Sequence, residues 1–219
     1  NIVTKEPVRG YSGNLSFIQD PLLQFGTQNA SFTGVYEKWT YSLYGSNFYH
    51  DENRESYTLR KTRQGEQWNR MERRSDDGTF NMVGPHFGTS IDYTPSDRSY
   101  SSLSLSYSYS HLQEEETYQI QNEQAGNVHD YFAAQNDECF YYAAKADFYH
   151  QTTWNKIHTL SVDANYSWYN MKPESDYREM ETENSEPFNR VNQNEDNDNI
   201  KADVQVNMEH KWKPVTLGE

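Results

Sequence analysis

The strongest constraint on the fold is a strict two-residue alternation over residues 103–110. Leu103, Leu105, Tyr107 and Tyr109 alternate there with four serines. Successive side chains of a β-strand point to opposite faces, so this segment has one apolar face and one small polar face. A helix would distribute the same residues around its circumference. The segment is therefore predicted to be a strand.

The same alternation recurs in seven further segments. It is clear over residues 140–149, 160–168 and 200–209, and weaker over 11–17, 30–36, 39–45 and 87–93. The net charge of -14 and the hydrophobic content of 34% would by themselves suggest disorder. The aromatic content of 15%, with 18 Tyr, indicates strands instead. We predict an all-β chain of about eight strands.

The connections between these strands alternate in length. Short turns are predicted at residues 37–38, 95–98, 153–155 and 213–214. Long polar loops are predicted at 47–79, 113–137 and 171–199, with a shorter one at 20–26. Short turns on one rim and long loops on the other are typical of outer-membrane barrels. The predicted fold is an antiparallel up-and-down transmembrane β-barrel segment, with short periplasmic turns and long extracellular loops.

The two faces of the strands predict two environments. The side predicted to face lipid comprises Leu103, Leu105, Tyr107, Tyr109, Leu160, Val162, Ala164, Tyr166, Trp168, Ile200, Val204, Val206 and Met208. The side predicted to face the lumen comprises Lys145, Asp147, Asp163, Asn165, Lys201, Asp203 and Gln205. Alternation alone also fits a soluble β-sandwich with a wet outer face. Loop asymmetry, consecutive hairpins and aromatic residues near strand ends favour lipid.

Several function classes have no support in the sequence. Lys and Arg total 19 against 33 acidic residues, which is the reverse of a nucleic-acid-binding surface. The single cysteine, Cys139, excludes an internal disulfide and a multi-cysteine metal site. No catalytic motif is present, and His129 beside Asp130 lacks a partner nucleophile. We predict neither enzymatic activity nor a cofactor.

Charged segments within the predicted loops have two interpretations each. Six arginines surround Trp68 within residues 51–77, which suits an anionic ligand or lipopolysaccharide, but also an ordinary charged hairpin. The last long loop is rich in acids, as expected for solvation. Asp196 and Asp198 within it could bind a divalent cation, but the glycine and distal glutamate of an EF-hand are missing.

The first residues resemble a known family. Asn1-Ile2-Val3-Thr4-Lys5, followed by Gly10-Tyr11-Ser12-Gly13-Asn14-Leu15, is similar to the junction between plug and barrel in TonB-dependent receptors. The Tyr- and Asn-rich hairpins resemble the Bacteroidetes branch of these receptors and the related outer-membrane β-barrel proteins. By this resemblance, residues 1–6 end a plug-like segment and residues 7–219 form a partial barrel. The motif covers about 15 residues, and the remaining residues are similar in their Tyr- and Asn-rich hairpins more than in any motif.

The resemblance implies a plugged, 22-stranded barrel in the outer membrane of a Gram-negative cell. Such a receptor takes up a scarce small ligand and contacts membrane lipid, lipopolysaccharide and a TonB-type energy-transducing protein. This sequence departs from the pattern, because it has no TonB box, no plug body and no terminal aromatic residue. A piece from the first third of a barrel would show these departures. The alternatives are a complete eight-stranded structural or adhesive barrel, and a secreted β-sandwich that binds glycans.

Overall fold

The described part of the chain folds into one antiparallel β-sheet. The computed structural model describes residues 9–210, except 21, 23, 66, 155 and 156. Each strand pairs with the next along the chain, apart from the last, which pairs with the seventh. The strands are β1 (Gly10–Gln19), β2 (Phe25–Tyr36), β3 (Trp39–Gln64), β4 (Gln67–Ser96), β5 (Ser99–Gln124), β6 (Asn127–Trp154), β7 (His158–Met180), β8 (Asn189–Asn194) and β9 (Asn197–His210).

The last two strands occupy one position in the sheet. Both pair with β7 in the same register, because Glu174 faces Asn194 in β8 and Met171 faces Asn197 in β9. The interruption between them lies opposite Pro173, which has no backbone N–H to donate. Among the described residues, the sheet therefore has eight strand positions, which agrees with the number predicted from the alternation.

The sheet is open. Within the part of the chain that the structure describes, β1 forms one edge, β8 and β9 form the other, and the two edges do not pair. The prediction of an all-β, antiparallel, sequentially paired sheet is confirmed, whereas closure into a barrel is not observed. No second sheet is found among the described residues, so the alternative of a β-sandwich has no opposing layer here.

The long loops were predicted wrongly. Segments 47–79 and 113–137 consist almost entirely of strand, because β3 pairs with β4, and β5 with β6, as far as tight turns. Segment 171–199 also contains the end of β7 and all of β8. Polar side chains on both faces conceal the two-residue period, but the backbone ladder needs no apolar face to continue. We call residues 51–81, 113–138 and 174–194 the arms.

Tight turns explain how the arms stay paired to their ends. Ala125 and Gly126 join β5 to β6 with positive φ angles of 53° and 83°. Two positive φ angles in succession match the twist of the flanking strands. On the opposite rim, the short turns predicted at 37–38 and within 95–98 are confirmed. The turn predicted at 213–214 and the plug-like residues 1–6 lie outside the described residues.

The described residues form a small buried core. Tyr118, Ile120 and Ala133 are buried in the arms, with Met71, Tyr131 and Tyr177 packed against them. Within the described residues, no helix is long and apolar enough to cross a membrane.

Candidate functional site

The strand registers align apolar side chains into rows that cross the sheet. Residues paired directly across neighbouring strands lie on the same face. The row through Leu103 comprises Tyr11, Gly34, Tyr41, Ile91, Leu103, Phe148, Ala164 and Val204. The next comprises Gly13, Phe32, Leu43, Thr89, Leu105, Ala146, Tyr166 and Ala202. The one after comprises Leu15, Ala30, Gly45, Phe87, Tyr107, Ala144, Trp168 and Ile200.

These three rows form a continuous uncharged surface, which we call the apolar band. Thr89 is the one residue in it that is not apolar, aromatic or glycine. Leu160, Val162, Val206 and Met208 extend the band toward the short turns. Tyr109 lies one row beyond it, toward the arms. All residues predicted to face lipid therefore share one face of the sheet.

The apolar band is exposed. Leu105 is 45% and Val204 69% accessible, and none of the described residues forms a layer over them. Ser104 and Ser106, on the other face of the same strand, are less exposed than their apolar neighbours. A soluble sheet would hide its apolar face and expose its serines. Uncovered apolar surface on this scale marks a face that meets a partner or a membrane.

Aromatic residues border the apolar band on both sides. Toward the short turns, Trp39 stacks on Tyr93 with ring centroids 4.2 Å apart. Toward the arms, Tyr109 packs against Tyr142 at 5.2 Å. Amphipathic rings are enriched where a barrel surface passes from hydrocarbon to headgroups. The order across the face is therefore an aromatic border, an apolar band and a second aromatic border.

The opposite face at the same depth is polar. The row through Ser104 continues through Asp147, Asn165 and Asp203, and the next row pairs Ser106 with Lys145, Ser167 and Lys201. Asp163 and Gln205 are paired in the row on the other side. The residues predicted to face the lumen thus lie on a single face.

Side chains on this polar face bind one another. Lys145 Nζ lies 2.9 Å from Asp147 Oδ2. Asn165 Nδ2 donates to Asp163 Oδ1 at 2.7 Å. Asp147 Oδ1 is buried without a partner among the described residues. This face is therefore polar, and its side chains are hydrogen-bonded to one another.

The apolar and polar sides exchange faces in the arms. Along β5, Tyr118 and Ile120 have the same parity as the serines, so they lie on the face opposite Leu103. Tyr118 is 4% and Ala133 0% accessible. The loop predicted at residues 113–137 concealed this cluster. Alternation at residues 117–121 is the signal that could have found it.

Arg73 is the charged residue at the centre of this cluster. Its guanidinium lies 3.2 Å from the ring centroid of Tyr118 and donates to Gln135 Oε1 at 3.2 Å. The Tyr118 hydroxyl donates to Glu116, and burial raises the pKa of Tyr118 well above its ordinary range. Burial, followed by a hydrogen bond to Glu179, raises the pKa of Tyr177 to about 12. Both phenols are therefore neutral donors near neutral pH.

Charged pairs lie in the last arm, on the face of the sheet that carries the apolar band. Asp176 accepts hydrogen bonds from Arg178 Nε at 2.7 Å and from Arg190 Nε at 2.9 Å. The hydrogen bond from Arg178, and then that from Arg190, lower the pKa of Asp176 below its ordinary value. The acids of this segment are thus partly used to pair β7 with β8.

The basic segment around Trp68 also forms internal pairs. Arg54 lies over the Phe80 ring at 4.0 Å and reaches Glu114 Oε1 at 3.4 Å. Arg63 lies 5.9 Å from the Trp68 ring. These contacts favour the interpretation of an ordinary charged hairpin. In the described part of the chain, no group of three or more His, Cys, Asp or Glu could hold a metal ion.

No protein-family model matches the chain, and no curated protein matches it either. The likeness to TonB-dependent receptors consequently depends on the residues quoted above.

Proposed function

We propose that this chain is part of an outer-membrane β-barrel, with the apolar band against lipid and the polar face lining a water-filled interior. The observation that carries the proposal is the apolar band itself, which is uncharged across eight strand positions and which no described residue covers. A closed barrel gives such a sheet what it lacks, since closure pairs both edges and lipid covers the outside.

Where the band is longest, in β7, its length agrees with that of a membrane-spanning strand. Its longest alternating stretch in β7 covers residues 160–168. A transmembrane strand needs about 9–11 residues at a tilt of about 45°. The arms then extend beyond the bilayer as paired strands, on the rim opposite the turns at residues 37–38 and 97–98.

Within this proposal, the barrel belongs to a transporter that takes up a small ligand with energy from a TonB-type protein. The support is the similarity at residues 1–5 and 10–15, together with the start of β1 at Gly10. In-cell photo-crosslinking of the full-length protein tests this part. A cross-link to the TonB-type protein is expected, and deletion of the plug should abolish it. A transporter that never forms this cross-link would contradict the energy coupling.

Spin-label accessibility tests which face meets lipid. The single cysteine is first replaced by Cys139→Ala, and labels are then placed at Leu105→Cys and Ser104→Cys in lipid vesicles. We expect the label at 105 to be relaxed mainly by oxygen, which partitions into acyl chains. The label at 104 should respond mainly to a water-soluble nickel complex. Equal behaviour of the two labels, or the reverse, would contradict the proposed orientation.

A further inference from the structure

A shallow cavity lies on the face that carries the apolar band, where this band ends and the arms begin. It has a volume of about 460 Å³ and lies among β6, β7 and β9. Phe140, Tyr142 and Trp168 contribute aromatic surface to it, and Asn170, Lys172 and Asp198 contribute polar groups. Asn170 and Asp198 form the row that directly follows Trp168 and Ile200. One side of the cavity is thus continuous with the apolar band.

The polar groups of this cavity are held in fixed positions. Asn170 is 5% accessible, and its Nδ2 donates to Asp196 Oδ1 at 2.6 Å and to Asp198 Oδ1 at 2.8 Å. Trp168 Nε1 donates to Asp198 Oδ1 at 3.3 Å. Lys172 Nζ lies 3.1 Å from Asp196 Oδ2. These contacts use Oδ1 of Asp198, and no hydrogen bond or ion pair within the described residues reaches its Oδ2.

Charge and shape restrict what this cavity can bind. The two carboxylates outnumber the single Lys172, whose charge is already paired, so a phosphate headgroup would be repelled. Aromatic surface beside carboxylate and amide oxygens suits a neutral polyol, whose C–H face packs on rings while its hydroxyls donate to oxygens. The adjoining apolar band would receive acyl chains.

We propose that this cavity binds the uncharged sugar headgroup of a glycolipid, whose acyl chains lie along the apolar band. The inference rests on the proposed membrane location. The sugar packs against Trp168 and Tyr142, and its hydroxyls donate to Asp198 Oδ2 and to Asn170 Oδ1. The lipid is therefore recognised by its headgroup at the border facing the arms.

Native mass spectrometry of the full-length protein tests the proposal. The protein is purified in lauryldimethylamine oxide, a detergent without a sugar, and offered monoglucosyl diacylglycerol, diacylglycerol or phosphatidylglycerol with the same acyl chains. We expect the glucosyl lipid to be retained preferentially. Asp198→Asn or Trp168→Ala should weaken this preference about tenfold, as expected for the loss of one charged hydrogen bond or one aromatic platform.

Matched variants separate the cavity from general effects. Asp203→Asn changes a carboxylate on the opposite face of β9, and Trp154→Ala removes a tryptophan at the other end of the sheet; both should retain the preference. Trp168→Phe keeps a ring and should retain part of it. This graded series distinguishes lost recognition from a misfolded variant.

Three results would overturn the glycolipid proposal and leave the barrel intact. They are equal retention of all three lipids, a preference for phosphatidylglycerol, and a sugar preference that vanishes when divalent cations are chelated. A protein that retains no lipid and stays folded and monomeric without detergent would overturn the proposed membrane function as well. The two failures are therefore distinguishable.

Discussion

The apolar band and the arms are parts of the same strands, but their side chains follow opposite rules. In β5 the apolar residues Leu103, Leu105 and Tyr107 lie on the exposed face. Further along the same strand, Tyr118 and Ile120 are buried on the other face. The pairing of β5 with β6 keeps one register throughout, so no bulge causes the exchange.

Under the proposed membrane location, this difference corresponds to two solvents along one strand. Where lipid surrounds a sheet, apolar side chains gain by pointing outward and polar ones by pointing inward. Where water surrounds it, the hydrophobic effect reverses the preference. The exchange between Tyr109 and Tyr118 therefore marks where we expect the membrane to end. Variants that behave differently in the two regions can break or sharpen this comparison.

The largest expected effect comes from a charge placed on the apolar band. Leu105→Arg would put a guanidinium against acyl chains, which costs about 2–4 kcal/mol near the middle of a bilayer. Urea titration of folding into lipid vesicles measures the loss. Gln119→Arg lies on the same face of β5 but in the arms, and Ser104→Arg lies on the opposite face of the band. Both controls should cost far less, and a similar cost at Gln119 would remove the distinction between the regions.

A cavity in the arm cluster should have the next largest effect. Ile120→Ala removes buried methyl groups and should destabilise the arms by about 2 kcal/mol, the lower end for such truncations because the cluster is small. Hydrogen exchange of arm amides in the inserted protein measures it. Ile91→Ala makes the same change in the apolar band, where acyl chains can fill the gap, so arm exchange should not change. Equal arm protection in the two variants would mean that the cluster does not hold the arms.

The sequence revealed the band more completely than the arms. Alternation predicted which side chains of β5, β7 and β9 lie on the apolar band and which lie on the opposite face, because polar side chains there are confined to one face. In the arms both faces carry polar residues, a composition that exposed strands share with loops. The parity change between Leu103 and Tyr118 is visible in the sequence, but only if the strand is known to continue. The cavity at Asn170 joins three strands and could not be predicted without the register.

The face of the sheet opposite the apolar band should be sensitive to added side-chain volume. The Tyr44 ring covers Gly88, and a Cβ at Gly88 would lie 2.1 Å from Tyr44 Cζ. Gly88→Ala should cost about 1 kcal/mol, since the ring must rotate away. Gly10→Ala, where nothing lies within 4 Å, is the matched control. If Tyr44→Ala removes the cost of Gly88→Ala in a double-variant cycle, the ring is responsible; a full additive cost would place the cause elsewhere.

The smallest expected effect is a pH dependence confined to the last arm. Hydrogen bonds from Arg178 and Arg190 lower the pKa of Asp176, so the folded state holds the carboxylate more firmly than the unfolded chain does. The resulting stability is complete above the ordinary carboxyl value of 3.8 and is lost as the pH falls through the lower value in the folded state. The protection factors of β8 amides, which are corrected for the intrinsic pH dependence of exchange, should therefore fall below about pH 4, while those in the apolar band stay constant. Asp176→Asn should weaken β8 protection at neutral pH and remove this pH step. If the step persists in Asp176→Asn, another acid of the arm is responsible, because an amide cannot titrate in this range.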